Sequence, residues 1–194
     1  MDELKQIGEM IRWGTEQQPF LMGIIVSVLM GMALTLPISS AALGVILNLS
    51  GIAAGAATVG CCAQMIGFAT ASFRENGIGG LLAQGIGTSM LQVPNIVRKP
   101  LIWLPTIITS AILGPISTVV LKMTNNAIGS GMGTAGLVGP IMVYKTMITN
   151  TSPTITILMI LVMLIIAPAF LTYFISEAMR RKGLIKDGDM KLEI

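Results

Sequence analysis

The sequence predicts an all-α polytopic membrane protein with about four spanning helices, an N-terminal amphipathic helix and re-entrant or interfacial segments, all within one membrane domain of residues 1–194. Hydrophobic residues make up 53% of the chain and charged residues only 11%, a balance that water-soluble domains do not have. Residues 17–73 and 146–176 contain no charged side chain. Two uncharged stretches of this length are typical of a chain that crosses a bilayer, and they exclude a soluble globular enzyme.

The first predicted element is an amphipathic helix over residues 2–13. Leu4, Ile7, Met10 and Ile11 recur at intervals of three and four residues, with charged side chains between them. A helix of this kind is expected to lie at the membrane surface. The segment lacks the basic region and cleavage site of a signal peptide, so we expect it to be retained.

Four apolar segments are predicted to span the bilayer: residues 20–38, 41–73, 101–121 and 155–175. The second would be about 50 Å long as a straight helix, which exceeds the bilayer thickness, so it is expected to tilt, break or protrude. Small residues follow one another along this segment mostly at four-residue intervals, which favours a close helix contact: Gly51, Gly55, Ala63, Gly67 and Ala71. Because four helices enclose little volume, the small-residue stripe also predicts a homo-oligomer, in the simplest case a dimer.

Lysine and arginine residues predict the orientation, because cytoplasmic loops retain an excess of both. The cluster Arg180, Arg181 and Lys182 predicts that the end of the chain is cytoplasmic. With an even number of spanning helices, both ends of the chain are then expected on the cytoplasmic side.

Two glycine-rich segments, residues 76–97 and 123–153, are predicted to be re-entrant or interfacial. Backbone outside a helix is tolerated at membrane depth where it is buried in protein or lines a polar cavity, and glycine lets a ligand approach the backbone closely. The second segment contains the motif Gly-Ser-Gly-Met-Gly-Thr-Ala-Gly-Leu-Val-Gly-Pro over residues 129–140, and its candidate substrate-binding residues are Gly131, Gly133, Thr134 and Gly136. A packing turn rich in glycine is the alternative. A nucleotide-binding loop is excluded because no Gly-Lys-Ser/Thr follows the motif.

Glu75 is the only acidic residue within residues 17–176, and it is the candidate catalytic residue. It could be an interfacial carboxylate beside Arg74 at a helix end. It could instead accept a hydrogen bond from a sugar hydroxyl, or act as the base when a phosphoryl group arrives. Nearby carboxamides suit a neutral polyol because they both donate and accept hydrogen bonds, although each could also pair between helices: Asn76, Gln84, Gln92 and Asn95.

Several classes of ligand are not expected. The chain contains no histidine, so it has no phosphohistidine, and any phosphate chemistry needs a partner. The net charge of +3 and the small number of aromatic residues argue against nucleic acid. Cys61 and Cys62 lie in an apolar run and are expected to be packed thiols. No metal or other cofactor is predicted.

Four segments resemble the membrane enzyme IIC-like family of the bacterial phosphotransferase system: Leu-Ser-Gly-Ile-Ala-Ala-Gly-Ala-Ala-Thr-Val-Gly (49–60), Phe-Arg-Glu-Asn-Gly-Ile-Gly-Gly (73–80), Arg-Lys-Pro (98–100) and Gly-Leu-Val-Gly-Pro-Ile (136–141). Members of that family are longer, and this chain resembles their C-terminal portion. The resemblance implies a location in the bacterial cell (inner) membrane. It also implies sugar translocation coupled to phosphorylation by a cytoplasmic IIB protein that carries the phosphoryl group.

The sequence therefore predicts a membrane component of a sugar or polyol transport system, which forms the translocation site for a small neutral solute. No catalytic constellation is evident in the chain, and phosphotransfer would need the IIB partner. The alternative is a membrane regulatory or assembly subunit that binds a partner protein through its small-residue stripe and transports nothing. A pore is a third possibility, in which backbone carbonyls would replace rings of charged side chains.

Overall fold

The computed structural model describes residues 2–193, which are mostly helical and include no β-strand. The α-helices are α1 (Asp2–Gln17), α2 (Pro19–Thr35), α3 (Ser40–Ile46), α4 (Gly51–Ala71), α5 (Phe73–Leu82), α6 (Val93–Arg98), α7 (Leu104–Pro115), α8 (Ala127–Ser130), α9 (Val138–Met147), α10 (Pro153–Ile160) and α11 (Ala167–Arg181). Three continuous helical stretches are long and apolar enough to cross a membrane: Gly51–Ala71, Pro100–Val120 and Pro153–Arg181. Helix α2 is a shorter apolar helix. The predicted all-α membrane fold is confirmed.

Residues 41–73 do not form the single long helix that their composition suggested. They form α3 and α4, separated by a turn in which Asn48 and Gly51 have positive φ angles of 48° and 62°. A left-handed residue ends a right-handed helix, and asparagine and glycine are the residues that adopt this conformation most readily. Of the three outcomes expected for an overlong helix, the chain therefore adopts the break.

Helix α4 lies at the centre of the bundle, and glycines set its contacts with α2. Gly60 of α4 lies against the backbone of Ser27, and Thr35 at the end of α2 bonds to Gln64. Residue numbers rise together along the two helices, so α2 and α4 run parallel. Because Thr35 is level with Gln64, α2 ends about two turns before α4 does. The chain then returns through α3 to the end of the bundle where α2 began.

Helix α7 runs antiparallel to α2 and α4. The Ser27 hydroxyl donates to the carbonyl of Ser110 at 2.8 Å, and Thr106 bonds to Gln64 at 2.9 Å. Helix α11 packs on the last part of α4, where Gly67 lies close to the side chains of Thr106 and Thr172. Small residues are needed at these points because a side chain would separate the helices.

The small-residue stripe is filled by this chain itself. Gly55 lies against the carbonyl of Met123, Gly67 against α7 and α11, and Ala63 is fully buried. Gly55, Ala63 and Gly67 are therefore covered by this chain, and of the stripe only Gly51 is exposed. A stripe of small residues predicts that a helix comes close, but not which helix it is.

The two ends of the bundle differ in what surrounds α4. At its start, Arg12 of α1 donates to the Ser50 hydroxyl at 3.2 Å; we call this the α1 end. At its finish, Arg180 of α11 donates to the carbonyl of Ala71 at 3.2 Å; we call this the basic end. Helix α1 and residues 180–193 therefore lie about 30 Å apart, at opposite ends of α4. This differs from the predicted arrangement with both on one side, because α2 and α3 together return to the end they started from.

Candidate functional site

The two glycine-rich segments form hairpins that enter the bundle from opposite ends. In the first, the 83–98 hairpin, Gln84 contacts Ser72 near the basic end, Ser89 reaches Thr35 deeper in the bundle, and α6 returns to the basic end. In the second, the 123–152 hairpin, Asn125 pairs with Gly51 at the α1 end and Gly133 reaches Cys61. Both segments therefore behave as re-entrant elements in their packing.

The tips of the two hairpins touch beside the last third of α4, near Met65 and Ala69. Gly85, in a π-helical turn at Ala83–Gly87, accepts a hydrogen bond from the Thr134 hydroxyl. Thr134 also contacts the sulfur of Met65 at 3.6 Å. Broken helices that meet inside a bundle are the usual way in which transporters build a solute site, because they expose backbone groups to a cavity rather than to lipid.

A buried cluster of neutral polar side chains lies beside the touching tips. The Oε1 atom of Gln64 accepts hydrogen bonds from Trp103 Nε1 at 2.9 Å, Thr106 at 2.9 Å and Thr35 at 3.2 Å. Thr35 is in turn 2.9 Å from the Ser89 hydroxyl at the tip of the 83–98 hairpin. The indole N–H can only donate, so the Gln64 atom that it contacts must be the amide oxygen.

This geometry leaves the other end of the Gln64 amide unpaired. Gln64 is fully buried, and its Nε2 atom has no hydrogen-bond partner within residues 2–193. A buried amide donor without an acceptor costs about 1–3 kcal/mol, so such groups are rare unless a ligand or solvent pairs with them. The Gln64 amide therefore has a donor without an acceptor among the described residues.

A cavity of about 170 Å³ opens beside Met65, against both hairpin tips, and the five residues of the polar cluster are not among those that line it. Its lining includes Met65, Gly87, Thr88 and Gly131, together with the turn at Ser39 and Ser40 between α2 and α3. The volume is below the roughly 300–1,000 Å³ of drug-sized binding sites, so it suits a small solute. Among the predicted glycine-rich residues, Gly131 lines this cavity, whereas Gly133 packs on the backbone of Cys61. Thr134 joins the tips, and Gly136 takes a positive φ of 53° in the turn before α9.

The predicted carboxamides form a separate group near the basic end, which we call the amide row: Asn76, Gln84, Gln92 and Asn95. Gln92 Nε2 donates to Gln84 Oε1 at 2.8 Å, and Asn95 Nδ2 donates to Gln92 Oε1 at 2.9 Å. The structure therefore brings three of the four side chains into one chain of hydrogen bonds.

The amide row is occupied by residues 185–193 of the same chain. The carbonyl of Met190 accepts from Asn76 at 2.8 Å and from Gln92 at 3.0 Å, and the carbonyl of Lys191 accepts from Asn95 at 2.9 Å. The N–H of Leu192 donates to Asn76 Oδ1 at 2.8 Å. Gln84, Gln92 and Asn95 each make two hydrogen bonds through the amide nitrogen. An amide nitrogen has only two hydrogens, so these three have none left for a solute.

Glu75 is not an isolated carboxylate. Its Oε1 atom accepts from Arg180 at 2.8 Å and from the N–H of Gly188 at 3.3 Å, and its side chain is only 6% exposed. Arg180 also pairs with Asp187 at 2.9 Å. These contacts hold residues 185–193 on the basic end, whereas the Oε2 atom of Glu75 is buried and has no hydrogen-bond partner within residues 2–193. The interfacial and the catalytic role of Glu75 both stay predictions.

Asp189 makes a second ionic contact of the same segment. It pairs with Lys99 and accepts from the backbone N–H of Lys186. Burial raises the pKa of Asp189, but the hydrogen bonds and positive charges of Lys99 and Lys186 outweigh burial, and the pKa is lowered from the ordinary carboxyl value.

The polar cluster at the hairpin tips is not among the sites predicted from the sequence. Gln64 is the only carboxamide in α4, and this isolation was the available signal. Its partners come from α2, from the 83–98 hairpin and from the start of the Pro100–Val120 stretch, so no local pattern connects them. No group of three or more cysteine and carboxylate side chains that could hold a metal ion occurs in the part of the chain that the structure describes.

The fold is that of a polytopic all-α membrane protein with two re-entrant hairpins. Comparison with known proteins identifies the family: residues 3–192 match the family Phosphotransferase system, EIIC, and the chain belongs to it. The match covers nearly the whole chain and confirms the resemblance seen in its motifs. The chain is thus a membrane component of phosphotransferase transport that works with partners such as IIB. No curated protein and no solved structure matches the chain.

Proposed function

We propose that this EIIC chain carries a small neutral sugar or polyol, and that the solute binds where the two hairpin tips meet beside Gln64. The single observation that carries the proposal is the unpaired Nε2 donor of Gln64, fully buried next to the touching tips. A solute hydroxyl would accept from this donor.

The chemistry of the cluster supports a neutral solute. Thr35, Gln64, Ser89, Trp103 and Thr106 are all uncharged, and they are joined through the Gln64 amide and the Thr35 hydroxyl. A charged solute would lack a counter-ion here, and an unpaired charge in an apolar interior is strongly unfavourable. Hydroxyl and amide groups, which both donate and accept, match the hydroxyls of a sugar or polyol.

The residues predicted from sequence take different roles in this proposal. Gly131 borders the solute, and Thr134 holds the tips together. In this proposal Glu75 and the amide row hold residues 185–193 at the basic end and do not touch the solute. Phosphorylation would use the phosphoryl group of a IIB partner, because the chain contains no histidine of its own.

The distribution of basic residues supports an orientation. Eight of the 12 lysines and arginines belong to the basic end: Arg74, Arg98, Lys99, Arg180, Arg181, Lys182, Lys186 and Lys191. Helix α1 contains more acidic than basic residues. The positive-inside rule then favours the basic end as the cytoplasmic face of a bacterial inner membrane, with α1 on the opposite face.

Cysteine labelling tests this orientation. Gln17→Cys on α1 and Leu184→Cys at the basic end are both at exposed positions, and the native Cys61 and Cys62 are fully buried. We expect an impermeant reagent added to intact cells to label position 17 and not position 184. Labelling of both positions, of neither, or of position 184 alone would contradict the proposed orientation.

A homo-oligomer remains a prediction from the small enclosed volume. Because most of the small-residue stripe is buried within the chain, a contact between copies would use other apolar surface, such as the exposed face of α10 with Ile157 and Leu158. The mass of the purified protein in mild detergent tests this, and a monomeric mass would contradict it.

The solute site is tested by filling the cavity without disturbing the hydrogen bonds of Gln64. Gly87 lines the cavity, and a Cβ atom at this position meets no other atom within 4 Å. Gly87→Leu should therefore fold and block the solute. Gly79→Leu is the matched control, because Gly79 is equally open but lies in α5 away from the cavity.

The experiment measures saturable binding of a panel of sugars and polyols to the chain in nanodiscs, and uptake with IIB supplied. We expect Gly87→Leu to weaken binding at least tenfold, about 1.4 kcal/mol, and Gly79→Leu to bind as the native chain does. Equal solute binding by the two variants would show that the solute does not bind in this cavity. A folded native chain that binds no solute, and that recovers from membranes a partner unrelated to IIB, would favour the regulatory or assembly subunit.

A further inference from the structure

A groove on the outer surface of the bundle runs along one face of α11 towards the basic end. Its apolar part, of about 290 Å³, is lined by Thr70, Phe73, Leu81, Ala169, Phe170 and Tyr173. A second depression of about 600 Å³ continues past Tyr173 and is lined by Arg74, Phe174, Glu177, Ala178 and Arg181. The two share Tyr173 and therefore form one continuous surface, apolar at one end and charged at the other.

The charged part has an excess of positive charge. Arg74 lies 3.0 Å from one Glu177 oxygen, and Arg181 lies 3.8 Å from the other. Two guanidinium groups thus share a single carboxylate. Their side chains are 53% and 80% exposed, which leaves N–H groups free for another anion. Guanidinium groups match the oxygen geometry of a phosphate particularly well.

The order of these features along α11 matches the depth profile of a phospholipid. Ala169 lies in the apolar part of the groove and Arg181 in the charged part, and the helix rises about 18 Å between them. Tyr173 and Phe174 lie between, with ring centroids 5.8 Å apart, at the position where aromatic residues mark the boundary between hydrocarbon and headgroups. Basic pockets at the surface of membrane helices are typical binding sites for anionic lipid headgroups.

We propose that this groove binds one anionic phospholipid, with its phosphate between Arg74 and Arg181 and an acyl chain along Phe73, Leu81 and Phe170. The site depends on the membrane location of the family and not on the proposed solute site. A failure of one proposal therefore leaves the other standing.

Native mass spectrometry of the full chain in mild detergent tests the proposal with added phosphatidylglycerol and phosphatidylcholine. We expect phosphatidylglycerol to be retained more strongly, and Arg74→Gln and Arg181→Gln each to weaken its retention about fivefold, the effect of about 1 kcal/mol per basic residue near a lipid surface. Salt at about 1 M should weaken retention as well, because it screens exposed charges. Arg98→Gln is the matched control: Arg98 is an exposed arginine of the basic end that lies outside the groove.

A variant in the apolar part separates a lipid from a free anion. Ala169→Phe places a bulky side chain in the acyl groove and leaves both arginines unchanged. We expect it to weaken phosphatidylglycerol retention, while inorganic phosphate does not displace the lipid. Equal retention of phosphatidylcholine, an equal loss with Arg98→Gln, or no effect of Ala169→Phe would each overturn the proposal. Displacement by inorganic phosphate would make this a site for a free anion instead.

Discussion

The amide row and the polar cluster at the hairpin tips contain the same kind of group in similarly buried surroundings, but they differ in how that group is paired. Gln84, Gln92 and Gln64 are all fully buried. In the amide row every N–H of Gln84 and Gln92 has a partner, and residues 185–193 supply part of the pairing. At the tips the Nε2 atom of Gln64 has none among residues 2–193.

The difference shows how to interpret polar residues in an apolar chain. A buried carboxamide whose donors and acceptors are all paired contributes to folding, and removing it leaves other groups unpaired. A buried carboxamide with a free donor needs an additional partner. By this criterion the amide row is a structural clamp for residues 185–193, and the hairpin tips are the place for a solute.

The largest expected effect on the clamp comes from its buried ion pair. Glu75→Gln leaves the charge of Arg180 with only Asp187 as a counter-ion, and breaking a buried pair costs about 3 kcal/mol. We expect a marked fall of the melting temperature in detergent, with solute affinity unchanged for the folded protein. Glu177→Gln is the control, because its carboxylate belongs to more exposed pairs and should cost at most about 1 kcal/mol.

A Glu75→Gln variant with native stability but reduced transport would contradict the structural role given to the amide row and Glu75. If the variant melts at the native temperature but loses uptake or phosphorylation tenfold or more, Glu75 handles the solute or the phosphoryl group. The amide row would then belong to the functional site, as the sequence first suggested.

A pair of glutamine substitutions tests the two regions directly. Gln92→Met leaves Gln84 Oε1 and the carbonyl of Met190 each without one donor, so it should lower the free energy of unfolding by about 2 kcal/mol and leave solute affinity unchanged. Gln64→Met should lower solute affinity about tenfold or more, about 1.4 kcal/mol. It should also reduce stability, because the Trp103 indole N–H loses its acceptor, whereas the Thr35 and Thr106 hydroxyls have other acceptors within reach.

The two variants are compared by binding assays on folded protein and by thermal unfolding. The informative quantity is the affinity, since both variants lose stability. If Gln92→Met reduces affinity as much as Gln64→Met does, the distinction between clamp and solute site is wrong.

The smallest expected effect is on the attachment of residues 185–193 at acid pH. The pKa of Asp189 is lowered in the folded protein. Its contact with Lys99 therefore stabilises the attachment of residues 185–193 at any pH above the ordinary carboxyl pKa. This stabilisation is lost as the pH falls through the lowered pKa. Hydrogen exchange at the backbone amides of Met190 to Leu192 should therefore increase, after correction for intrinsic rates, at the acid end of the range. Asp189→Asn should exchange faster near neutral pH and lose this acid dependence. An unchanged acid dependence in that variant would exclude Asp189 as the cause.

Local sequence patterns predicted much of the fold and some of the site. The amphipathic N-terminal helix, the apolar helices and the two re-entrant segments follow from hydrophobic periodicity and from the placement of glycine and proline. The break at Asn48 was only one of three options, because the left-handed conformation of a single residue depends on what packs around it. The motif directed attention to Gly131, which lines the cavity, and to Thr134, which joins the tips. Gln64 was not among the predicted site residues, because its partners Thr35 and Trp103 are distant in sequence.

By itself, the sequence determined that this is an all-helical membrane protein of the phosphotransferase EIIC kind, because composition, charge spacing and family motifs are properties of the chain alone. Only the tertiary structure decided that most of the small-residue stripe is internal and that Glu75 pairs with Arg180. It also decided that the amide nitrogens of Gln84 and Gln92 are fully hydrogen-bonded, whereas that of Gln64 has a free donor. The physical reason is that pairing depends on distant segments. Met190 pairs with Asn76, and Arg180 pairs with Glu75, across more than 100 residues of chain. A hydrogen bond between such segments exists only once the helices have packed.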